Sequence, residues 1–492
     1  MGEKNIRTRY APSPTGYMHI GNLRTALYEY LIAKNFNGSF IMRLEDTDQE
    51  RYVEGATEFI YKTLKTANII HDEGPDIGGD YGPYIQSKRK SIYIKYAEKL
   101  VKEEKAYYCF CEKERLAKIR EENEKKGIIA GYDRYCLKLD EKEVRSNLEK
   151  KIPYVIRQKM PQEGSTSFKD VVFGEIKFEN KELDDQILIK ADGMPTYNFA
   201  NVIDDHLMKI THVVRGSEYV SSTPKYNLLY KSFGWEIPQY IHVPLIMKKD
   251  GDQIKKFAKR DGDASFNDLI ERGFLPQAVV NYIALLGWSP GGEKEIFSMD
   301  ELIKEFSTKG ISKSYAIFDM EKLKWLNGEY LRKMSQEEFY IVSEPYIKEI
   351  IKNKAIDIKK VSKILQARTE ILSDISKVID FIEKLPDYSV DIYIHKKMKT
   401  NYENSISGLE NALDCFKKLD NWEHNSIYEE LIKTVKTLGI KNGQLLWPVR
   451  TALTGKKVSP GGAIDVAEIL GKEESIMRIK FGIDKLKNYI KG

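Results

Sequence analysis

Residues 6–48 read IRTRYAPSPTGYMHIGNLRTALYEYLIAKNFNGSFIMRLEDTD, and this stretch decides the fold. Alternating side chains at residues 6–10 predict a short strand, which ends in a loop rich in proline and glycine. Apolar residues at helical spacing follow at residues 23–31, and Asn22 is the candidate N-cap. A second alternation at residues 40–44 predicts another strand. Strand, loop, helix and strand in this order predict the start of a doubly wound parallel sheet.

The rest of the chain predicts an insertion into that sheet and then a helical half. Charged helical stretches surround a patch that carries cysteines, and strand patterns then return at residues 186–190, 197–202, 210–214 and 240–247. Helical patterns dominate beyond about residue 270. We therefore predict an α/β fold made of a Rossmann-like domain split between residues 1–80 and 186–265, an inserted α+β domain at 81–185, a helical domain at 266–324 and an all-α region at 325–492.

Composition sets the broad class of the protein. The chain has 492 residues, of which 41% are hydrophobic and 31% charged, and its formal net charge is +5. These values are typical of a soluble globular protein. No apolar run approaches the roughly 18 residues of a membrane-spanning helix, and the polar start lacks a secretory signal. Four cysteines are too few for a disulfide framework, so we predict a reduced, cytoplasmic protein.

The loop after the first predicted strand carries the strongest chemical signal. Residues 9–22 read RYAPSPTGYMHIGN, in which Gly16 and Gly21 allow close approach of a ligand to the backbone. Free N–H groups and the helix dipole at such a helix start favour a phosphate, and His19 can donate a hydrogen bond to it. The alternative for His19 alone is a histidine that only caps the helix.

This loop resembles the nucleotide-binding signature of class I aminoacyl-tRNA synthetases, in the version of the glutamyl and glutaminyl subgroup. The family motif H-I-G-H corresponds to residues 19–22, where Asn22 replaces the last histidine. A second family signature, K-M-S-K-S, corresponds to KFAKR at residues 256–260 of the stretch KKFAKR, and Ala258 replaces the serine. The resemblance implies an ATP site formed by Pro12, Ser13, Pro14, Thr15, Gly16, His19, Gly21, Asn22, Lys256, Lys259 and Arg260.

The two signatures together imply which residues act on the phosphates. Cationic donors on a mobile loop can stabilise the charge that develops on pyrophosphate as it leaves. By the resemblance, the catalytic residues are His19, Lys256 and Lys259.

A third stretch is similar to the amino-acid pocket of the same subgroup. Residues 192–201 read DGMPTYNFAN, and Arg215 follows downstream. The guanidinium of Arg215 can grip a side-chain carboxylate in fork geometry, and Glu45 can pair with an ammonium group. We interpret residues 204–206, DDH, as a turn at a strand end and not as a metal site. The resemblance implies a glutamate site formed by Arg9, Ala11, Ser13, Glu45, Tyr197, Asn201 and Arg215.

The cysteines of the predicted insertion raise the question of a structural zinc. Cys109, Cys111 and Cys136 follow a C-x-C-x₂₄-C spacing, and some bacterial members of the family bind zinc at this place. Tetrahedral zinc needs four ligands. The position that supplies the fourth ligand in those members is Lys138, which cannot serve, and Tyr132 or Tyr135 would be a poor substitute. We therefore predict reduced cysteines without zinc.

The helical half carries a fourth resemblance. Residues 443–455, GQLLWPVRTALTG, resemble a segment of the helical anticodon-binding region of the family. Arg368 lies where such proteins place an arginine that reads an anticodon base, and an arginine can recognise the edge of an unstacked base. The alternative for Arg368 is a charge on a helix surface.

The resemblance implies an enzyme that activates glutamate with ATP and Mg²⁺ and transfers it to the 3′-terminal adenosine of tRNA(Glu). Residues 81–185 would bind the acceptor end, 266–324 would contact the stem and 325–492 would bind the anticodon. The implied partners are tRNA(Glu) and L-glutamate, without a membrane, and the protein is expected to be a monomer. The alternatives are a glutaminyl-tRNA synthetase, a glutamyl enzyme that also charges tRNA(Gln), a shorter tRNA-modifying paralogue and an inactive tRNA-binding protein.

Overall fold

The N-terminal residues form a parallel strand pair joined by a helix. A computed structural model describes residues 5–16, 18–51, 53–125, 131–257 and 265–491 of the chain. Strand β1 (Arg7–Tyr10) pairs in parallel with β2 (Ser39–Met42), and helix α1 (Ile20–Asn35) connects them. All four side chains of β1 are buried, including Arg7 and Arg9, and most side chains in the first three turns of α1 are buried with them.

The chain separates into two compact units. One comprises Met1–Leu269 with Val279–Asp319, and the other comprises Ile270–Ala278 with Met320–Gly492. The further elements up to Asp319 are α2 (Ala56–Thr66), α3 (Lys90–Lys102), β3 (Ala106–Cys109), α4 (Lys113–Lys125), α5 (Glu141–Glu149), β4 (Val155–Gln158), β5 (Ser165–Asp170), β6 (Gly174–Glu179), β7 (Ile187–Ile189), α6 (Tyr197–Leu207), β8 (His212–Gly216), α7 (Thr223–Phe233), β9 (Gln239–Val243), β10 (Ile246–Asp250), β11 (Gln253–Lys256), α8 (Phe266–Glu271), α9 (Pro276–Leu285), α10 (Met299–Glu305) and β12 (Ala316–Phe318).

The parallel strands of the first unit come from two separated parts of the sequence. β8 pairs in parallel with β9, and the backbone N–H of Thr211, just before β8, donates to the carbonyl of Arg7 in β1 at 3.0 Å. The inserted segment contributes a hairpin, β5–β6, whose β5 meets β9 in parallel at one residue pair. It also contributes β3 and β4, which form an antiparallel sheet with β7. The predicted α/β class with a split sheet and an insertion is confirmed.

Residues 197–202, predicted as a strand, form the start of helix α6 instead. Phe199, Val202 and Ile203 are fully buried and pack in one cluster with residues of α3 and α7. Their spacing of three and four residues fits a helix. Burial against two other helices therefore favoured the helical period over the two-residue period of a strand. The residues interpreted as a strand-end turn, 204–206, are therefore the last turn of α6.

The segment at residues 266–324, predicted as helical, contains one short strand. β12 pairs in parallel with β10, and β10 pairs on its other side with β11 in an antiparallel hairpin. This small sheet carries Lys256 at the end of β11.

The second unit is built from helices. Its elements after Asp319 are α11 (Met320–Lys333), α12 (Gln336–Ile350), α13 (Ile358–Leu365), α14 (Ile375–Glu383), α15 (Tyr402–Lys418), α16 (His424–Leu438), α17 (Asn442–Thr454), α18 (Ala463–Leu470) and α19 (Lys472–Lys491). Capping boxes begin several of them, as at Ser335 and Glu338 of α12. The helical C-terminal region predicted from the sequence is confirmed. Within the described part of the whole chain, no helix has the length and apolarity needed to cross a bilayer.

Candidate active site

The loop between β1 and α1 is held rigidly against the end of β2. The carbonyl of Pro12 accepts from the N–H of Glu45 at 3.0 Å, and that of Pro14 accepts from Val53 at 3.0 Å. Gly16 has a φ of 130°, a conformation that side chains with a Cβ rarely adopt. These contacts position the backbone of residues 12–16 at the carboxyl end of β1.

His19, and not the predicted Asn22, is the N-cap of α1. Its Nδ1 accepts a hydrogen bond from the N–H of Gly21 at 2.9 Å, and its backbone carbonyl accepts from Asn22 and Leu23. The helix begins three residues earlier than the sequence indicated, because the histidine ring satisfies a free N–H of the first turn.

A cavity of about 510 Å³ opens at this loop and unites most of the predicted residues. His19, Gly21 and Asn22 line one part of it, Arg215 lines another, and Lys256 closes it from the β10–β11 hairpin. Predicted residues that also line it are Arg9, Ala11, Pro12, Ser13, Thr15 and Tyr197. Pro14, Gly16, Glu45 and Asn201 do not line it, and Lys259 and Arg260 lie outside the described residues.

The hairpin that carries Lys256 is anchored by aromatic packing. Phe257 is buried, stacks on Phe318 with ring centroids 4.6 Å apart, and meets the ring of His19 edge-on at 5.4 Å. The side chain of Lys256 itself is exposed. His19 of the first signature and Lys256 of the second, which are far apart in sequence, therefore line one cavity.

Arg215 is a buried cation with unused donors. Its Cζ lies 5.0 Å from the ring centroid of Tyr226 and 5.4 Å from that of Tyr219. Among the described residues, neither Nε nor Nη1 has a hydrogen-bond partner. Burial lowers the pKa of Arg215, but Tyr197, Tyr226 and Asp205 raise it by more, so the group stays cationic. Two unpaired N–H groups beside a cavity are suited to a carboxylate.

Glu45 lies in an adjoining cavity of about 710 Å³ that shares Ser13, Thr15 and Tyr197 with the first one. Oε1 of Glu45 accepts from Arg43, whereas Oε2 is buried and has no partner within the described part of the chain. Burial raises the pKa of Glu45, and Arg43 opposes this rise. An acceptor oxygen with no donor is suited to an ammonium group.

Arg9 is already engaged by two carboxylates. Its Nη1 donates to Glu29 at 2.9 Å and its Nε to Asp205 at 3.0 Å. Asp205 in turn pairs with Arg43 at 2.7 Å, and Asp204 pairs with Arg89 at 2.7 Å. Residues 204 and 205 thus belong to a buried ion-pair network, which the turn interpretation missed.

The sequence held one signal for this network. Glu29 stands inside the apolar run TALYEYLIA of α1, where a charge must find a partner to be buried. Burial raises the pKa of Asp205, but Arg9 and Arg43 lower it by more, so the net direction is downward and this carboxylate is ionised.

Asn201 lies in α6 and is buried, with 1% of its surface exposed. It lines neither of the two cavities.

The cysteine cluster lies in the inserted segment. The sulfur atoms of Cys109, Cys111 and Cys136 are all within 4.8 Å of one another. The hydroxyl of Tyr132 lies 3.4 Å from the sulfur of Cys109 and 3.3 Å from that of Cys111, and it accepts from the N–H of Cys136. The group beside the three sulfurs is therefore the Tyr132 hydroxyl, which the sequence analysis weighed together with Lys138 and Tyr135.

A third cavity, of about 1230 Å³, lies within the helical unit. Arg368 lines it and donates to the carbonyl of Ser459 at 3.0 Å. Arg450 lies 4.3 Å above the ring of Trp447, and burial together with repulsion from Arg368 lowers the pKa of Arg450. Two cations and a flat aromatic ring are the groups that hold unstacked bases. Trp447 and Arg450 lie in the segment 443–455 that resembles the anticodon-binding region, but the sequence analysis predicted no role for either side chain.

Comparisons with known proteins agree over the whole chain. Residues 5–325 match the family model described as "tRNA synthetases class I (E and Q), catalytic domain". Residues 330–483 match the model "Anticodon binding domain".

The chain is similar to proteins described as glutamate–tRNA ligases. It is 58% identical over 490 residues to that of Clostridium tetani, with 100% of each chain covered. It is 58% identical over 482 residues to that of Clostridium kluyveri, with 98% of each covered. The crystal structure of the glutamate tRNA ligase of Elizabethkingia meningosepticum in complex with its amino acid matches with a TM-score of 0.88 and 38% identity, over 98% of this chain and 100% of that one.

Proposed function

This chain belongs to the class I tRNA synthetases for glutamate and glutamine, and from that membership we propose that it joins glutamate to tRNA(Glu) with the use of ATP. The carboxylate of glutamate attacks the α-phosphate of ATP, giving glutamyl-adenylate and pyrophosphate. The ribose 2′-OH of the 3′-terminal adenosine of the tRNA then attacks the carbonyl of glutamyl-adenylate, takes the glutamyl group and releases AMP. Catalysis in this scheme comes from alignment and charge stabilisation more than from proton transfer.

One observation carries the proposal: a single cavity holds His19, Lys256 and Arg215. His19 and Lys256 supply donors for phosphate oxygens, and Arg215 supplies two unpaired N–H groups for a carboxylate. A site that offers both sets of donors suits the joining of an amino acid with an acidic side chain to a nucleotide.

Each side chain has a task that its contacts support. His19 accepts from Gly21 through Nδ1, so its neutral ring carries the proton on Nε2 and can donate to a phosphate. Arg215 binds the side-chain carboxylate of glutamate, with Arg9, Ala11, Ser13, Tyr197 and Asn201 around it. Oε2 of Glu45 binds the ammonium group. Mg²⁺ enters with ATP as part of the substrate and neutralises phosphate charge.

The second signature extends this site. Lys259 and Arg260 act on the leaving pyrophosphate beside Lys256, a role that rests on the sequence because both lie outside the described residues. Pro12, Pro14, Thr15, Gly16, Gly21 and Asn22 form the backbone cradle for ATP.

The division of labour along the chain follows from the same proposal. Residues 1–80 with 186–265 activate glutamate, 81–185 bind the acceptor end, 266–324 contact the stem, and 325–492 bind the anticodon. The helical structure of described residues 320–491 supports a glutamyl and not a glutaminyl anticodon module, since the latter is a β-barrel in the resembling family. Arg368 reads an anticodon base. The enzyme works as a cytoplasmic monomer without structural zinc.

An aminoacylation assay tests the proposal. Purified tRNA(Glu) and tRNA(Gln) are each offered with glutamate or with glutamine, ATP and Mg²⁺. We expect glutamate on tRNA(Glu). Glutamate on both tRNAs would identify an enzyme of relaxed tRNA specificity, and glutamine on tRNA(Gln) would overturn the proposal. ATP–pyrophosphate exchange with and without tRNA, on the same preparation, reports the activation step separately.

A further inference from the structure

The carboxylate of Glu45 is held by one oxygen only. Oε1 accepts from Nη2 of Arg43 at 2.9 Å, from Nε of Arg43 at 3.3 Å and from Nε2 of Gln86 at 3.4 Å. Oε2 is equally buried but accepts from no group among the described residues. A fork-shaped guanidinium can bind both oxygens of a carboxylate, so the use of a single oxygen here is a feature to explain.

The reason lies on the other side of Arg43. Its Nη1 donates to Asp205 at 2.7 Å, and its Nε lies 3.9 Å from the carboxylate of Asp204. The side chain of Arg43 is fully buried, so it cannot rotate away from these partners into solvent. With one end of the fork fixed on Asp205, the guanidinium reaches Oε1 of Glu45 and leaves Oε2 for another donor.

We propose that Arg43 is a positioning residue for amino-acid binding: it pins Oε1 of Glu45 so that Oε2 points its lone pairs at the ammonium group of the substrate. The inference rests on the proposed function, because it takes glutamate as the ligand of this pocket. Arg9 shares Asp205 with Arg43, but its second partner, Glu29, forms no ion pair with Arg43 among the described residues, so the position of Arg9 does not depend on Arg43 alone. Arg43 should therefore affect recognition of the ammonium group and not of the carboxylates.

Two ligands separate these contributions. Glutarate has both carboxylates of glutamate and lacks the ammonium group. We measure the dissociation constants of L-glutamate and glutarate by calorimetry for the wild type, Arg43→Lys and Glu45→Gln. Lysine keeps the buried charge but cannot contact Asp205 and Glu45 with a rigid fork. We expect Arg43→Lys to raise the dissociation constant of glutamate about ten-fold and to change that of glutarate by no more than about two-fold. Glu45→Gln should show the same selective pattern.

Control variants distinguish a loss of positioning from a general loss of stability. Arg478 is another buried arginine, which donates to the carbonyls of Phe381 and Leu453 in the helical unit. Arg478→Lys should lower the melting temperature while both dissociation constants stay unchanged. Gln86→Met removes the third donor to Oε1 of Glu45 and, with it, the 2.9 Å hydrogen bond from Gln86 to Asp204. It should weaken the binding of glutamate about three-fold and leave the binding of glutarate level, which keeps the test open if Arg43→Lys does not fold.

The outcomes are separable. The positioning role would be overturned if the Arg43 and Gln86 variants bound glutamate and glutarate equally more weakly. It would also be overturned if neither dissociation constant changed in these variants. Selective weakening of glutamate in a protein that nevertheless fails to charge tRNA(Glu) would sustain the positioning role and reject the proposed function. Absence of glutamate binding in the wild type would reject both.

Discussion

The N–H of Gly21 donates to Nδ1 of His19 at 2.9 Å, so one nitrogen of this ring belongs to the start of α1. The other nitrogen carries the proton of the neutral ring, and the ring lines the cavity that also contains Lys256. His19 therefore combines the two roles that the sequence offered as alternatives, a helix cap and a donor to phosphate. A substitution can separate them.

We expect His19→Asn to preserve the fold and to impair activation. Asparagine is a good N-cap, so the free energy of unfolding should change by less than about 1 kcal/mol. The lost donor should slow ATP–pyrophosphate exchange, measured with tRNA(Glu) present, by about 100-fold. His19→Ala serves as the comparison, since it should lose both stability and activity. An unchanged exchange rate in His19→Asn would remove His19 from the catalytic residues.

We expect Arg215→Met to abolish glutamate binding without destabilising the protein. Two of the donors of Arg215 have no partner within the described residues, so the substitution removes an unsatisfied buried charge and keeps the volume. The melting temperature should stay level or rise, while kcat/KM for glutamate falls by about 1000-fold. Arg43→Met is the contrasting variant, because it leaves Asp205 with Arg9 alone and leaves the buried Glu45 without its ion-pair partner, so it should cost about 3–5 kcal/mol of stability. A large loss of stability in Arg215→Met would mean that its charge is paired.

The N-terminal elements could be predicted because their signals are local. Alternation and helical spacing follow one another within residues 6–48, and each is supported by a loop of proline and glycine. Residues 197–202 failed the same approach, since the stretch is short and its apolar residues fit both periods. Packing of α6 against α3 and α7 selected the helix, and this packing cannot be read from residues 197–202 alone.

The site followed a similar division. Residues in contiguous motifs, such as His19 and Lys256, were found because the resemblance carried them one by one. The pairing of Arg43 with Asp205 joins positions 162 residues apart and depends on how β2 faces α6, so no spacing could indicate it. Tyr132 was considered as a metal ligand only by its chemistry, and the short distances from its hydroxyl to the sulfurs of Cys109 and Cys111 could be found only from the fold.

The stacked pair His206 and Trp235 should make stability depend on pH. The rings lie 3.7 Å apart at an angle of 2°, and burial, with a contribution from Lys209, lowers the pKa of His206 below its usual 6.5. The unfolded chain therefore takes up this proton first as the pH falls. The stabilisation that comes from the neutral ring of His206 is complete above about pH 6.5. It is lost as the pH falls from there to the lowered pKa of His206 in the folded protein.

Melting temperatures at pH 7.5 and pH 5.5 test this dependence. We expect the melting temperature of the wild type to fall more on acidification than that of His206→Phe. Phenylalanine keeps an aromatic ring on Trp235 and cannot titrate. His212, whose pKa is also lowered by burial, remains in both proteins and accounts for part of the common loss. Equal losses in the two proteins would show that His206 does not contribute.

The cysteine cluster gives the last prediction, which concerns the metal content. Tetrahedral zinc needs four ligands that give up their protons, and the group beside the three thiols is the Tyr132 hydroxyl, which is a poor zinc ligand. We expect elemental analysis to find far less than one zinc per chain, and a thiol assay after unfolding to count all four cysteines. Tyr132→Phe should then leave the metal content unchanged. One zinc per chain in the wild type, lowered by Tyr132→Phe, would contradict the prediction and identify the Tyr132 hydroxyl as the fourth ligand that Lys138 cannot provide.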